Sequence, residues 1–204
     1  MNARAFVFSL LLAGFAAPAS AQEVAPDVLV KGISNEVLEI IRKDKDIQSG
    51  NTRKIVDLVE TRVLPHFNFN RMTAYAVGVN WRRASSEQQK LLVDEFKTLL
   101  VRTYSTALSS YKNQVIDFKP LRAQTADTEV KVRSEIRQSG AQAVTIDYSM
   151  EKTVSGWKVF DVEVGGVSLV ANYRETFTNE IRSVGIDGLI KTLASKNKQL
   201  EAKT

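Results

Sequence analysis

The 204-residue chain has no cysteine, a single histidine, four prolines and ten glycines. The absence of cysteine excludes a disulfide framework, a thiol nucleophile, a cysteine-ligated zinc site, an iron–sulfur cluster and lipid attachment to an N-terminal cysteine. Because His66 is the only imidazole, a metal site built from several histidines is impossible, and a Ser-His-Asp triad would have to include it. With 44% hydrophobic and 25% charged residues, the composition is that of an ordinary globular protein. The formal charge of +5 is mild and evenly spread, so it does not indicate nucleic-acid binding.

The first 21 residues have the order of a secretory signal peptide. Arg4 precedes an apolar run over residues 5–17, and a small-residue segment ends at Ala21. We therefore expect cleavage after Ala21, which leaves 183 of the 204 residues as a single domain, residues 22–204. A membrane anchor is the alternative, but the apolar run is short for a bilayer span. Since the chain also lacks cysteine and Asn-x-Ser/Thr sites, these features predict a bacterial periplasmic protein.

Apolar residues recur at helical spacing in six stretches of the mature chain. The longest stretch begins with the Ser-x-x-Gln spacing of a capping box, which Ser85 with Gln88 and Ser86 with Gln89 both offer. Gly185 separates the last two stretches and predicts a helix break. The predicted helices cover residues 26–45, 55–63, 71–77, 86–111 and 170–184, and the stretch from 187 into the lysine-rich tail 196–203.

From Val115 onward the period of the apolar residues changes to two, which indicates β-strands. Four runs alternate apolar with polar residues, at 115–119, 130–137, 144–151 and 160–164. The last three runs are joined by short turns, which make neighbouring strands antiparallel, since a parallel crossover needs a dozen or more residues. Helices segregated from one antiparallel sheet predict an α+β fold: a four-stranded sheet with one apolar face, covered by about six helices.

Few residues have the spacing of a catalytic site. His66 lies in a turn between helices, and Asp161 and Glu163 share the charged face of the last strand. We interpret them as a satisfied imidazole and a solvated carboxylate pair, and Gly165-Gly166 as a bend that leads into the next helix. The shortage of catalytic motifs favours a binding protein, and an enzyme that acts through Asp161 or His66 is a second hypothesis.

Two stretches carry motifs of a known family. The first comprises Val63-Leu64-Pro65-His66-Phe67-Asn68-Phe69, Gly78-Val79-Asn80-Trp81-Arg82 and Ser86-Glu87-Gln88-Gln89. The second contains Trp157-Lys158-Val159-Phe160-Asp161, Gly166-Val167-Ser168-Leu169 and Asn172-Tyr173-Arg174. With these motifs the chain resembles the MlaC (toluene-tolerance) family of periplasmic phospholipid-binding proteins over nearly the whole mature chain. Two positions depart from the family pattern: Asn68 replaces the usual aspartate, and Leu91 or Leu92 replaces a common aromatic.

The resemblance implies both a fold and a function. The implied fold is a curved antiparallel sheet with helices that close a deep apolar pocket. The implied function is a soluble carrier that needs no cofactor or metal, binds phospholipid and maintains outer-membrane lipid asymmetry. Its implied partners are an outer-membrane lipoprotein–porin complex and the lipid-binding ring of an inner-membrane ABC transporter. A hopanoid-like cargo is one alternative, and a periplasmic chaperone or adaptor for apolar peptides is another.

The apolar phase of strands and helices predicts the lipid-binding residues. Side chains on a strand alternate between faces, so the strand contribution should share one face: Val130, Val132, Val144, Ile146, Tyr148, Met150, Val162 and Val164. The helix contribution is predicted at Phe96, Leu100, Tyr104, Val170, Tyr173 and Phe177. We also expect a basic partner surface on exposed helix faces and at Arg82-Arg83, because rim charges speed transient docking.

Overall fold

The computed structural model describes residues 24–202 except 110, 112, 113, 125, 139 and 141, so the predicted signal peptide lies outside the described residues. The α-helices are α1 Pro26–Lys43, α2 Lys45–Gln48, α3 Thr52–Leu58, α4 Phe69–Val77, α5 Ser86–Tyr104, α6 Thr106–Ser109 and α7 Leu169–Glu201. A π-helical turn, Val59–Val63, follows α3, and two 3₁₀ helices flank α4 at Leu64–His66 and Gly78–Arg83. No helix in the described part of the chain combines the length and apolar character that a membrane crossing requires.

The strands form one antiparallel sheet in the order β1-β2-β3-β4-β5. They are β1 Val115–Phe118, β2 Glu129–Arg137, β3 Val144–Thr153, β4 Gly156–Val164 and β5 Val167–Ser168. The α+β class is confirmed, but the prediction of four strands was wrong. Gly165 and Gly166 have φ of 59° and 82°, the geometry of a two-residue hairpin turn, and Val167 pairs with Val164. A strand of two residues shows no alternation, so periodicity does not reveal it.

A β-bulge changes the phase that the sequence predicts for β4. The register between β3 and β4 shifts beside Met150, which pairs with Val159 and leaves Phe160 opposite no residue of β3. Val162 keeps its predicted place on the apolar face. The alternation over residues 160–164 also predicts Phe160 on that face. This prediction was wrong, because the extra residue reverses the alternation and bends the strand. Val159 takes the inward position instead and is buried.

Two helix ends and one helix break can be compared with the boundaries that the sequence predicts. Of the two Ser-x-x-Gln pairs, Ser85 and Gln88 form the capping box, with N···O distances of 3.1 Å from Gln88 N to Ser85 Oγ and 3.0 Å from Ser85 N to Gln88 Oε1. The helix predicted through Tyr111 instead ends at Tyr104, and α6 follows. The break at Gly185 is confirmed, since its φ of 74° lies inside α7 where only glycine is unstrained. Gly185 therefore divides α7 into an N-terminal and a C-terminal arm.

Buried side chains form three apolar clusters. The helical cluster joins α4, α5 and α7 and includes Phe96, Leu100, Val170 and Phe177. The sheet cluster lies beneath α1 and contains Val30, Val132, Met150, Trp157 and Val159. A third cluster joins α1, α2 and α3 through Val37, Ile41, Ile47, Ile55 and Leu58. Phe67 packs against both the helical and the sheet cluster, so it connects the two halves of the core.

Asn68 and Arg71 join the start of α4 to the sheet. Asn68 Oδ1 accepts a hydrogen bond from Arg71 N at 3.1 Å and so caps the helix, while its Nδ2 donates to Glu151 Oε1 at 2.7 Å. Arg71 donates to Glu151 Oε2 at 2.7 Å and to Glu129 Oε1 at 2.6 Å. Its guanidinium also lies 3.6 Å from the ring centre of Phe160, a cation–π contact. The amide at position 68 therefore supplies a donor that an aspartate would lack.

Replacing Asn68 with aspartate should lower the free energy of unfolding by about 1–3 kcal/mol. Aspartate still caps the helix, but it removes the amide that donates to Glu151 and sets two carboxylates against each other. Urea unfolding at neutral pH measures the loss. The loss should shrink as the pH falls towards about 4, because mutual repulsion makes the folded protein bind a proton more strongly than the unfolded chain.

Asn68→Ser is the matched control, since serine keeps a capping oxygen without the negative charge. It should be less destabilising than Asn68→Asp at neutral pH. Equal losses for the two variants, or a loss for Asn68→Asp that is independent of pH, would contradict repulsion between residue 68 and Glu151.

Candidate functional site

Cross-strand pairing places the predicted strand residues together on one side of the sheet, which we call the apolar face. Residues directly opposite each other on antiparallel strands point to the same side. The pairs are Val130–Met150, Val132–Tyr148, Tyr148–Val162 and Ile146–Val164. The predicted strand set therefore occupies a continuous surface across β2, β3 and β4.

The apolar face includes residues that the sequence-based site prediction omitted. Ile116 pairs with Ile136, which pairs in turn with Val144, and Val167 pairs with Val164 at the other edge. The alternation in β1 and β2 already contained the signal for Ile116 and Ile136. The place of Val167 could not be read from the pattern, because it depends on the hairpin turn at the two glycines.

The apolar face is covered at one end and open at the other. Val132 and Met150, beneath α1, are 1% and 0% exposed, whereas Val144 and Val164 are 42% and 39% exposed. Ile146, which lies between these positions on β3, is half-buried. Exposure thus rises along the strands from a closed end to an open end. A contiguous exposed apolar surface of this kind marks a ligand groove or an interaction site.

Tyr148 lies between the closed and open ends of the apolar face. Ser134 of β2 and Ser34 of α1 lie close to its hydroxyl. Burial raises the pKa of Tyr148, so the phenol stays protonated at neutral pH. Ser134 is itself buried and donates from Oγ to the carbonyl oxygen of Ile146 at 3.0 Å. Tyr148 also packs against the sheet cluster that contains Val30 of α1, so it lies where α1 meets the middle of the sheet.

The opposite side of the sheet, the polar face, carries paired charges. Lys131 Nζ lies 2.6 Å from Glu163 Oε1, and Lys119 Nζ lies 3.0 Å from Glu135 Oε2. Because charged and apolar residues alternate along each strand, these groups point away from the apolar face. An apolar ligand would therefore meet hydrocarbon on one side of the sheet and solvated ion pairs on the other.

The predicted helix residues pack together instead of lining the apolar face. The ring centre of Phe96 lies 5.1 Å from that of Tyr173 and 5.2 Å from that of Phe177. Phe96 and Phe177 are fully buried, and Leu100 and Val170 are buried in the same helical cluster. The structure therefore separates the helix set from the strand set, and a role of the helix set in lipid binding stays a prediction.

Tyr104 and Tyr173 are the predicted helix residues that retain exposure. Burial, together with the neighbouring Tyr104 hydroxyl, raises the pKa of Tyr173 to about 12. Since α7 begins directly after β5, Tyr173 lies only about 6 Å along the helix from the strand that carries Val167. The two phenols are thus the members of the helix set that keep a polar group accessible to solvent.

Of the two residues in the enzyme hypothesis, Asp161 has a structural role. Asp161 accepts hydrogen bonds from Val162 N at 2.8 Å, Val170 N at 3.2 Å and Ser168 Oγ at 2.6 Å. It anchors the start of α7 and is not the solvated carboxylate that its phase predicts. Burial, reinforced by Lys158, lowers the pKa of His66. Within the described residues, no group of three or more His, Asp or Glu side chains is arranged to hold a metal.

An apolar sheet face that is open at one end and backed by ion pairs defines an α+β protein built to bind an apolar molecule. The family model described as MlaC protein matches residues 31–195, and the chain belongs to this family. The resemblance carried by the sequence motifs is therefore confirmed.

Three known proteins illustrate the relationship. The chain is 26% identical over 185 residues to toluene tolerance protein ttg2D of Pseudomonas putida, covering 90% of this chain and 85% of that protein. It is 23% identical over 180 residues to the intermembrane phospholipid transport system binding protein MlaC of Haemophilus influenzae, covering 87% and 84%. It is also similar to the solved structure of a phospholipid-binding protein from Ralstonia solanacearum in complex with a phospholipid. That similarity has a TM-score of 0.81 and 38% identity, over 87% of this chain and 99% of that one.

Alanine substitutions at the two ends of the apolar face should differ in their effect on stability. Met150→Ala removes a side chain that is fully buried at the closed end, so it should lower the free energy of unfolding by about 2–5 kcal/mol. Val164→Ala, at the open end, should cost under about 1 kcal/mol. Urea unfolding of delipidated protein compares the two. Similar losses would contradict the difference in covering between the ends.

Proposed function

We propose that this chain is a periplasmic carrier that binds phospholipid by its acyl chains and moves it between membranes. The observation that carries the proposal is the apolar face of the sheet, which opens from fully buried Met150 to exposed Val144 and Val164. Support comes from the phospholipid-bound relative of 38% identity and from the relative named for intermembrane phospholipid transport.

The energetics of lipid transfer explain why a carrier of this kind needs an apolar site and no catalytic residue. Two acyl chains contain roughly 30 methylenes, and each contributes about 0.8 kcal/mol on leaving water, so an unaided lipid faces a barrier of about 24 kcal/mol. A carrier that offers a hydrocarbon environment equal to the bilayer makes the transfer nearly isoenergetic. Neither a metal, a nucleotide nor a proton transfer enters this scheme.

The acyl chains enter at the open end of the apolar face. Val144, Ile146 and Val164 make the first contacts there, and the chains then advance towards the sheet cluster beneath α1. Full insertion of two chains requires α1 to move away from the sheet, which creates the deep apolar pocket that the family resemblance implies. Tyr148, which packs under α1 beside Ser34, marks the point at which α1 must yield.

The lipid head group remains in water at the open end. The polar face is turned away, and we expect the head group to meet Tyr173, in the first turns of α7, and Tyr104, at the end of α5. Because phenols offer only single, uncharged hydrogen bonds, we expect loose head-group specificity. The proposed route runs between an outer-membrane lipoprotein–porin complex and the lipid-binding ring of an inner-membrane ABC transporter, and it maintains outer-membrane lipid asymmetry.

A charge on the apolar face should abolish lipid binding, whereas the same charge on the polar face should not. Ile146→Glu places an unpaired carboxylate among the acyl chains, where it costs several kcal/mol even after relaxation. Thr145→Glu is the matched control, one residue away on the exposed side. Its neighbour Glu135 is already paired with Lys119 and Arg137, so the control should be tolerated.

Organic extraction of the purified variants followed by mass spectrometry measures the bound lipid. The wild type and Thr145→Glu should carry phospholipid in equal amounts, and Ile146→Glu should carry less than about a tenth as much. Circular dichroism verifies that both variants are folded. Equal lipid content in two folded variants would overturn the assignment of the site. A hopanoid or an apolar peptide in the wild-type extract would instead show that the cargo is not a phospholipid.

Export should remove residues 1–21. The positive residue, apolar run and Ala19-Ser20-Ala21 exit predict that the periplasmic form begins at Gln22. Intact-mass analysis of protein recovered from the periplasm of an expressing bacterium checks this directly. A mass that corresponds to a start at Met1 would show that the leader is retained, and the proposed freely diffusing carrier would then be a membrane-anchored protein.

A further inference from the structure

A groove lies between the N-terminal arm of α7 and the segment that joins α4 to α5. It has two parts, of about 630 and 490 Å³, which share Val79 and Thr178 in their walls. The α7 wall presents Arg174, Thr178 and Arg182, which lie on one stripe of the helix because they are four residues apart. No residue of the apolar face lines either part, so the groove is a second surface, distinct from the lipid-binding face.

Four exposed arginines converge on this groove. Arg82 and Arg174 line one part, and Arg83 and Arg182 line the other. In the part of the chain that the structure describes, none of these four arginines forms an ion pair with a carboxylate. The arginines that do so are Arg62, Arg71, Arg102, Arg133 and Arg137. The walls of both parts are also free of aspartate and glutamate. Like charges gathered in a concave surface focus a positive potential.

The charges elsewhere in the described chain are arranged differently. On the polar face of the sheet, lysines and arginines alternate with carboxylates and pair with them, as Lys131 does with Glu163. At the groove, Arg83 donates only to the amide oxygen of Asn80 at 3.3 Å, and Arg174 donates from Nε to the carbonyl oxygen of Tyr75 at 2.9 Å. Such bonds orient the guanidiniums and leave their positive charge uncompensated, so the groove complements a negatively charged occupant.

An apolar centre accompanies the four positive charges. Val79 is 84% exposed at the junction of the two parts, and Tyr75 and Ile181 flank it. An exposed apolar centre with arginine and tyrosine around it has the composition of a protein–protein hot spot. The groove is concave, whereas a bilayer surface is flat and would contact only the rims. These features favour a protein segment over a membrane as the occupant.

We infer that this groove docks an acidic amphipathic helix of a partner protein. Apolar side chains of that segment lie over Val79, and its carboxylates accept hydrogen bonds from Arg82, Arg83, Arg174 and Arg182. The wall of α7 from Arg174 to Val184, just before the break at Gly185, is about 15 Å long, which matches a partner helix of about three turns. Arginine forms bidentate pairs with carboxylates, so the surface selects acidic segments and confines docking to the side of the molecule away from the apolar face.

A designed peptide of about 14 residues tests the inference. It is an acetylated, amidated and fluorescein-labelled helix with a leucine stripe flanked by glutamates, and its control has glutamine in place of every glutamate. Fluorescence anisotropy with the full mature protein should show at least about ten-fold tighter binding of the glutamate peptide. The preference should weaken as salt rises from about 50 to 300 mM. Equal affinity for the two peptides, or no binding of either, would overturn the inference.

Two double variants locate the binding. Arg82→Gln with Arg182→Gln should weaken binding of the glutamate peptide by about ten-fold or more. Arg53→Gln with Arg122→Gln removes the same charge from exposed positions outside the groove and should change the affinity less than about two-fold. Both variants should retain the lipid content of the wild type. Equal weakening in the two variants would show a general charge effect, and loss of lipid in the first would assign the groove to the lipid site; either result overturns the inference.

Vesicles separate the membrane alternative from the protein segment. Sedimentation with vesicles of about 30% phosphatidylglycerol in phosphatidylcholine measures binding to an anionic bilayer. We expect the wild type and the Arg82→Gln/Arg182→Gln variant to sediment equally. Sedimentation that depends on Arg82 and Arg182, without preference for the glutamate peptide, would show that the groove binds a membrane surface and not a protein segment. That result would overturn the inference.

Discussion

The apolar face of the sheet has to be covered, and the rest of the structure follows from how far that covering extends. Neighbouring strands lie about 4.8 Å apart, so five strands form a surface about 19 Å wide. A single helix with its side chains is about 10 Å across and cannot shield that width. α1 covers Val132 and Met150 and leaves Val144 and Val164 exposed. The uncovered remainder is a hydrocarbon surface that water disfavours, and in the proposed function a lipid chain covers it.

One inserted residue couples this sheet to the helical half of the molecule. The bulge in β4 turns Phe160 away from the apolar face. On the other side of the sheet, its ring stacks on Tyr75 of α4, with 5.8 Å between the ring centres, and lies under the guanidinium of Arg71. Arg71 in turn bonds to Glu151 of β3. The same bulge brings Val159 inward to close the sheet cluster. A local irregularity thus provides both an apolar and an ionic connection between the two halves.

The proposed functions occupy surfaces of opposite chemistry. The lipid site depends on apolar area and a shortage of polar groups, so it binds hydrocarbon without regard to its head group. The arginine groove depends on uncompensated charge around an exposed valine, so it selects a partner by carboxylates. Because the lipid site and the arginine groove are separate, a carrier can dock through charged interactions that weaken with salt. Its cargo is held by apolar interactions that do not depend on charge.

The sequence by itself determined which way the residues of β2 and β3 point. Alternation there placed Val130, Val132, Ile146, Tyr148 and Met150 on one face, and helical periods on either side of the strands predicted the α+β class. Only the tertiary structure decided the fifth strand, the reversed phase of Phe160 and the packing of Phe96, Tyr173 and Phe177 into a cluster of their own. Periodicity records the direction of a side chain relative to its own backbone. The extent to which a side chain is covered depends on residues that are distant in sequence. Val30 of α1, for example, packs in one cluster with Met150 of β3, and no local sequence pattern records such a contact.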